Sequence, residues 1–373
     1  MNKMMGIIFA LGDTSSMLEL TKLRAASAMP VGGKYRTIDF PLSNMVNADI
    51  VNIGILTQYN YRSLMDHLGS GKEWDLDRKN DGLFIFPPYL NQSGTGWYRG
   101  TADALFTNLS FLTRSDEEFV VISDGSSIYK ANFNEMLREH LENGSDITVM
   151  VKKISDYTAS RLQKFGQVII DNNNRIIDYA EKPVRKVSDV CSTNVFLLKR
   201  ELLISLIQDC IARGSYDFIV DIIMKNLGKL DVHGFFYQGY FRSMSTVEEF
   251  YGFNMDLLDP DLLTELFISN GKIFTKVKDE VPAKYNEEAE VSNSIVADGC
   301  IIEGKVENSV LFRGVTINRG VSVKNCIIMQ GSTIGLNSTL EYVIVDKQAR
   351  ITENKHLRGE ASWPLIISKD ALV

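Results

Sequence analysis

The sequence predicts an α/β protein: a mostly parallel sheet covered by helices, followed by a C-terminal stack of short strands. Two observations carry this reading. Over the first ~250 residues, apolar strand-like runs alternate with amphipathic helix-like runs, the signal of a parallel sheet with helices packed on it. Over the last ~80 residues, an apolar pattern recurs at a nearly fixed interval, and such a period determines architecture.

The elements follow in order. Gly6 to Ala10 reads as a strand, Val51 to Thr57 as a second and Glu118 to Ser123 as a third. Thr101 to Leu112 carries helical spacing at Ala104, Leu105, Leu109 and Leu112. Phe133 to Asn143 reads as a helix and Asp146 to Lys152 as a strand. Ligands of such sheets bind beyond the carboxyl ends of the strands. The turns after Ala10 and Ser123 are therefore the places to look for chemistry; the alternative is two ordinary strand-to-helix connections.

The C-terminal repeat has four copies. Asn293-Ser294-Ile295-Val296 is followed by Gly299 and Ile302, and Asn308-Ser309-Val310-Leu311 by Gly314 and Ile317. Asn325-Cys326-Ile327-Ile328 is followed by Gly331 and Ile334, and Tyr342-Val343-Ile344-Val345 by Gln348 and Ile351. Successive copies are offset by 15, 17 and 17 residues. One coil cannot bury its apolar side alone, so coils must stack. The pattern resembles the left-handed parallel β-helix of hexapeptide-repeat proteins; a generic β-sandwich is the alternative. Acyltransferases built on that helix use a histidine between coils. His67, His140, His233 and His356 all lie outside the four copies, with His356 just after them, which argues against acyl transfer. Pro260 and the charged stretch Lys278 to Glu290, with Pro282, read as a connection. The expected organisation is an α/β domain over 1–250, a linker over 251–285 and the β-helix over 286–373.

Composition excludes several classes. The chain has 373 residues, 45% hydrophobic and 23% charged, ordinary for a globular protein of two or three domains. A net charge of −7 with no dense Lys/Arg run argues against a general nucleic-acid role and leaves room for a local basic pocket for a phosphorylated metabolite. Cys191, Cys210, Cys300 and Cys326 are too widely spaced for a zinc site or a redox pair and read as packed free thiols. The N-terminus leads into a strand-like run and not a signal peptide, and no apolar stretch approaches the ~20 residues of a membrane span. The expected location is cytoplasmic. Asn91-Gln92-Ser93 reads as a chance glycosylation match.

Three segments carry a specific resemblance: Gly32-Gly33-Lys34-Tyr35-Arg36, Ile38-Asp39-Phe40-Pro41-Leu42-Ser43-Asn44 and Trp97-Tyr98-Arg99-Gly100-Thr101-Ala102-Asp103-Ala104. They resemble the identifying segments of the ADP-glucose pyrophosphorylase (glucose-1-phosphate adenylyltransferase) family, and the likeness covers nearly the whole chain. It implies a nucleotidyltransferase-type sheet with helices on both faces.

Nucleotidyl transfer from ATP to a sugar phosphate needs backbone amides around the triphosphate, cations against the developing charge, and carboxylates holding a divalent metal. The family's glycine-rich turn reads roughly Ala-Gly-Gly-x-Gly-Thr-Arg-Leu. Here it reads Ala10-Leu11-Gly12-Asp13-Thr14-Ser15-Ser16-Met17, with side chains on Leu11 and Thr14 and a negative charge on Asp13. The family's arginine falls on Ser16, its lysine on Ala26 and the following proline on Ser27. Its metal aspartates fall on Ser126 and Ser243, in Gly125-Ser126-Ser127-Ile128-Tyr129-Lys130 and Phe241-Arg242-Ser243-Met244-Ser245-Thr246. Asp124, two residues before Ser126, would lie roughly 6.5–7 Å back along an extended strand, too far to replace a magnesium ligand unless the backbone bulges.

Some binding groups remain. The resemblance assigns Lys182 of Glu181-Lys182-Pro183 to the phosphate of glucose 1-phosphate, and Tyr98, Arg99, Thr101 and Asp103 to the nucleotide side. Glu181, Lys182, Tyr98, Arg99, Thr101 and Asp103 are vestigial substrate-binding candidates. The alternatives are a solvated salt bridge at 181–182 and a structural helix start at Gly100-Thr101. Ser192 falls where the family has a glycine near the sugar, and Leu23 where activator-responsive relatives carry a basic residue.

A frame kept while its charges are lost fits selection for a folded, non-catalytic partner. The chain most resembles the non-catalytic subunits of bacterial members, the glycogen biosynthesis protein D type, which join an active subunit in a mixed tetramer and alter its turnover and response to metabolites. The expectation is a regulatory subunit with no catalytic residues and no cofactor of its own. Mg2+ would belong to the catalytic partner subunit, and a sugar phosphate is a candidate effector. Two alternatives stay open: an active adenylyltransferase with a metal site rebuilt on Asp13 or Asp124, and a stand-alone sensor of sugar phosphate or nucleotide.

Overall fold

In the computed structural model, which describes residues 3–12, 15–89, 96–154, 164–269 and 271–373, the N-terminal apolar run forms the heart of a nine-stranded sheet. Strand β1 (Met4–Ala10) pairs in parallel with β2 (Asn52–Thr57) on one side and β4 (Phe119–Asp124) on the other. β3 (Gly82–Phe86) extends the sheet in parallel beyond β2. All six residues of β2 are buried, as a central strand covered on both faces requires. β8 (Val190–Lys199) runs antiparallel to β4, β5 (Ile147–Lys153) and β6 (Gln167–Ile170). β7 (Ile176–Ala180) pairs antiparallel with β6, and β9 (Val232–Phe236) parallel with β5. The sheet is thus mostly parallel, with only β7 and β8 reversed.

The expected helices form, with one break. The pattern over 101–112 becomes two helices, α1 (Thr101–Thr107) and α2 (Leu109–Thr113). Asn108 divides them: its side-chain amide donates to the Ala104 carbonyl at 2.9 Å and to Tyr98 Oη at 3.1 Å, in competition with the helical ladder. α3 (Phe133–Asn143) buries Phe133, Met136, Leu137 and His140, one helical face. Asn132 caps its start, and Gly144, at φ 63°, ends it.

The chain divides into two compact units, each discontinuous in sequence. The first comprises Met1–Leu11, Pro41–Tyr61 and Gly69–Phe241 and contains the sheet. The second comprises Gly12–Phe40, Arg62–Leu68 and Arg242–Val373.

The second unit is built around a left-handed parallel β-helix of three five-stranded parallel sheets. Ile295, Val310, Ile327 and Ile344 stack in register at the offsets 15, 17 and 17 read from the sequence. Ile302, Val306, Leu311, Ile317, Val323 and Ile328 are among the side chains filling the interior. The repeated markers are corner residues. Asn293, Asn308, Asn325 and Tyr342 take φ values of 41°, 46°, 52° and 54°. Gly299, Gly314, Gly331 and Gln348 take 75°, 66°, 71° and 58°. Glycine and asparagine recur there because they tolerate the left-handed region best.

Three expectations need correction. A fifth coil, Leu365–Ile367, pairs with Val343–Val345, and residues 359–364 between coils hid its period. His356 lies within a coil strand, His356–Arg358, and not beyond the repeat. Residues 251–285, read as a linker, contain most of the helix Val247–Asp256 and all of Pro260–Phe267. Pro260 does not interrupt a helix here; it begins one behind the Asp259 cap. Phe267 stacks on Tyr35, ring centroids 4.6 Å apart. All four cysteines are free and buried.

Candidate functional site

In the first unit, β4 ends at Asp124 and the chain turns at Gly125–Ser126, where the Gly125 N–H donates to the Phe9 carbonyl at 2.8 Å. The turn folds Ser126 back: its Oγ lies 2.9 and 3.1 Å from the two carboxylate oxygens of Asp124. Ser127 Oγ donates to the same carboxylate at 2.7 Å. The extended-strand separation expected between positions 124 and 126 is therefore wrong, because the strand stops at Asp124. Burial pushes the Asp124 carboxyl above its ordinary range, while the Ser127 and Ser126 hydrogen bonds and the charge of Lys182 pull it down.

This donor set does not fit magnesium. One carboxylate, already accepting from two hydroxyls, is far from the oxygen-rich octahedral shell that Mg2+ demands. Among the described residues no group of three or more His, Cys, Asp or Glu side chains could hold a metal. Asp13 and Thr14 lie outside the described residues, as does the Asn91–Ser93 match.

Lys182 takes φ 44°, and its Nζ lies 4.0 Å from Glu181 Oε1. Burial raises the Glu181 carboxyl; Lys182 opposes this and Asp217 adds to it. Among the described residues Glu181 Oε2 has no hydrogen-bond partner, and Ser192 lies beside the buried Tyr179 hydroxyl. Gly166 makes room for both, since a Cβ there would stand 2.5 Å from the hydroxyl and 2.8 Å from Oε2. Tyr179, Glu181 and Asp217 thus lie close enough to influence one another's charge. Tyr179 and Asp217 escaped the sequence reading. Asp217 caps the turn at Phe218, accepting from the Val220 N–H at 2.7 Å, and that signal reads as purely structural. The left-handed residue of β8 is Asn194, at φ 59°, so the glycine expectation placed on Ser192 belongs two residues later.

The other retained residues are bonded internally. Arg99 donates from Nη2 and Nε to Asp103 Oδ1 at 2.6 and 3.2 Å and stacks on Tyr216 at 3.8 Å. The Tyr98 N–H donates to Gln58 Oε1 at 3.1 Å. Thr101 Oγ1 accepts from the Phe218 N–H at 2.8 Å and donates to Asp217 at 3.4 Å. Gly100 is needed for close approach: a Cβ would stand 2.4 Å from the Tyr216 carbonyl.

In the second unit, Ser16 is exposed in the turn Ser15–Thr21, where Leu18 holds a strained φ 50°, ψ −128°. Ala26 is buried, its carbonyl accepting from Thr37 Oγ1 at 2.7 Å. Ser243 is half-buried beside Arg242, which pairs with Asp256 at 3.0 Å and Glu249 at 3.5 Å. Leu23 is exposed, and Arg24 turns inward, its Nη2 2.8 and 2.7 Å from the two oxygens of Asp346.

The same unit holds a cavity of about 250 Å³ that sequence reasoning missed. Lys34, Arg36, Lys276, Lys278, Arg313 and Lys347 line it, with Asp66 as the lining carboxylate. Arg313 is 8% exposed, and among the described residues its Nε has no hydrogen-bond partner. Arg36 is fixed by Ser63, whose carbonyl and hydroxyl oxygens each accept from Nη1 at 2.8 Å; burial works against its charge and brings it down to about 10, still protonated at neutral pH. Six cations around one small cavity, one of them buried with an idle donor, are chemically fit to hold a multiply charged anion. Their wide separation in sequence hid them.

Comparison with known proteins fits both parts of the fold. A nucleotidyl transferase family model matches residues 5–259, and a GlmU-like C-terminal hexapeptide model matches residues 279–360. The chain is 36% identical over 364 residues to a glucose-1-phosphate adenylyltransferase of Bacillus mycoides (strain KBAB4), covering 96% of this chain and 95% of that one. It is 37% identical over 328 residues to the enzyme of that name from Thermotoga neapolitana, covering 87% and 77%. With sheet, repeat and near-full-length identity in agreement, the chain belongs to the glucose-1-phosphate adenylyltransferase family.

Proposed function

We propose that this chain is a non-catalytic, regulatory subunit of a glucose-1-phosphate adenylyltransferase complex that makes ADP-glucose for glycogen synthesis. The observation that carries the reading is the Asp124–Ser126 pair. Where the resemblance places a metal carboxylate, a serine hydroxyl instead covers the nearest remaining carboxylate. Ser16, Ala26 and Ser243 extend the same loss to both cations and the second carboxylate. The polar group at Tyr179, Glu181 and Asp217 supports retained sugar recognition, with Lys182 beside it. The six-cation cavity supports an anionic effector such as a sugar phosphate.

The test is an activity assay of the chain alone and mixed with a catalytic family member. The chain alone, with ATP, glucose 1-phosphate and Mg2+, is expected to form no ADP-glucose. The mixture is expected to co-assemble by light scattering and to show changed turnover or effector response. Turnover by the chain alone that disappears in Asp124→Asn would establish instead an active enzyme with a rebuilt site. Anion binding without co-assembly would establish a stand-alone sensor.

A further inference from the structure

Lys347 is the unusual member of the six-cation cavity. Its neighbour Asp346 favours its ammonium, but only in part, because the Asp346 carboxylate is shared with Arg24 at 2.8 and 2.7 Å, and Oδ1 also accepts the Lys347 backbone N–H at 2.7 Å. No ion pair forms on Lys347 among the described residues, and it is only partly exposed. Two other segments bring positive charge to it: Arg24 and Arg36 from the N-terminal segment, Lys278 from the stretch before the coils. Lys34, Lys276 and Arg313 line the same space. The titratable remainder is Asp66 and His67, the latter with Nε2 2.6 Å from Asp39 Oδ1, and Tyr35.

We propose that anion binding in this cavity is coupled to uptake of one proton at Lys347 Nζ, so that the site holds a dianion more weakly as pH rises above neutrality. The inference rests on the anion-site reading given above and adds its regulation. The step is a simple protonation: the Nζ lone pair takes a proton from solvent, and the resulting ammonium donates to the incoming anion. Burial, then the charges of Arg36 and Arg24, hold the Lys347 ammonium down to about 7, against the pull of Asp346. A dianion offsets that repulsion and supplies the missing partner, so the value rises in the complex. Between the two values the complex carries one more proton than the free protein. Affinity then falls with pH by at most about tenfold per unit. Lys278 is also pulled down, by burial and then by Arg313, Arg36 and Lys276, so its own coupling must be separated from that of Lys347.

The test uses sulfate, which does not titrate in this range, and the full chain. Calorimetric titrations at pH 7 to 9, in two buffers of different ionisation heat, read affinity and proton uptake together; working above pH 7 keeps the ordinary histidine range out of the measurement. The expected result is uptake approaching one proton near pH 8 and affinity falling roughly five- to tenfold per unit above pH 7.5. Lys347→Arg, which stays charged throughout, is expected to bind sulfate with no uptake and a flat profile. A slope that persists in Lys347→Arg overturns the assignment to Lys347. Sulfate bound equally from pH 7 to 9 without proton uptake overturns the coupling and leaves the anion site standing. No sulfate binding by the wild-type chain even at pH 7 overturns the anion site itself.

Discussion

Ser126 illustrates how one hydroxyl changes the meaning of a strand end. Its contact with Asp124 holds a carboxylate that burial would otherwise push toward the neutral acid. Ser126→Ala is expected to cost roughly 1–3 kcal/mol at pH 7.5, the scale of a hydrogen bond to a charged group. The sign with pH follows from linkage. The folded Asp124 value lies above the unfolded one, so its contribution favours folding in acid and is lost as pH rises through the folded value. Ser126→Ala raises the folded value further, so its penalty shrinks as pH falls toward the unfolded carboxyl range. Denaturation at pH 5 and 7.5 checks this, and an equal loss at both would contradict it. Ser126→Asp combined with Ser243→Asp is expected to yield no measurable ADP-glucose synthesis, because groups that act as a unit do not restore function singly and Ser16 and Ala26 remain uncharged. Normal rates from the two aspartates alone would refute the loss of the phosphate clamp. The residue types at positions 16, 26, 126 and 243 are read directly from the sequence. The Gly125–Ser126 turn, the left-handed Asn194 and the closeness of Asp217 to Glu181 are not, since each depends on a backbone direction that periodicity does not encode.

The elements were legible in proportion to how strictly their period is enforced. The coil offsets match the pairing register because each coil buries its neighbours' apolar side chains, and a slip would expose them. The fifth coil was invisible because residues 359–364 lengthen the step, and the single helix expected over 101–112 broke at Asn108, whose side chain competes with its own backbone. The corners make two substitutions separable. Gly314 sits at φ 66° with nothing within 4 Å of an added Cβ, so Gly314→Ala is expected to cost only the left-handed penalty, about 1–2 kcal/mol. Gly335 has no left-handed φ, but an added Cβ would stand 2.6 Å from the Thr352 backbone of the next coil. Gly335→Ala must therefore separate two coils, and about 3 kcal/mol or more is expected, in the range of overpacked cores. Thermal denaturation of the two variants checks the order; a larger loss at Gly314 would contradict it.

At the scale of the whole molecule, the sequence divides linearly but the fold does not. Residues 12–40 and 62–68 belong with the β-helix, and the buried pair of Arg24 and Asp346 ties the first of them to it. Breaking such a pair on one side typically costs about 3–5 kcal/mol because the other charge stays buried. Removing the coils after residue 285 would thus orphan Arg24, and ligand binding is the gentler probe of this unit. The chain carries a net charge of −7, yet this unit's cavity is lined by six basic side chains drawn from the N-terminal segment, the stretch before the coils and the coils themselves. All of these lie in the second unit. A dianion bound there closes repulsion among segments that are distant in sequence, and at a hundred times its dissociation constant stabilises the folded state by about 2.7 kcal/mol. Hydrogen exchange with and without saturating sulfate at pH 7 is expected to slow amides in 30–40, 62–68, 274–280 and the coils near 313 and 347. The sheet strands β1 to β9 are expected to change least. Protection centred instead on the turns around Asp124 and Lys182 would place the anion in the first unit and reassign the six cations to self-repulsion relieved only by solvent.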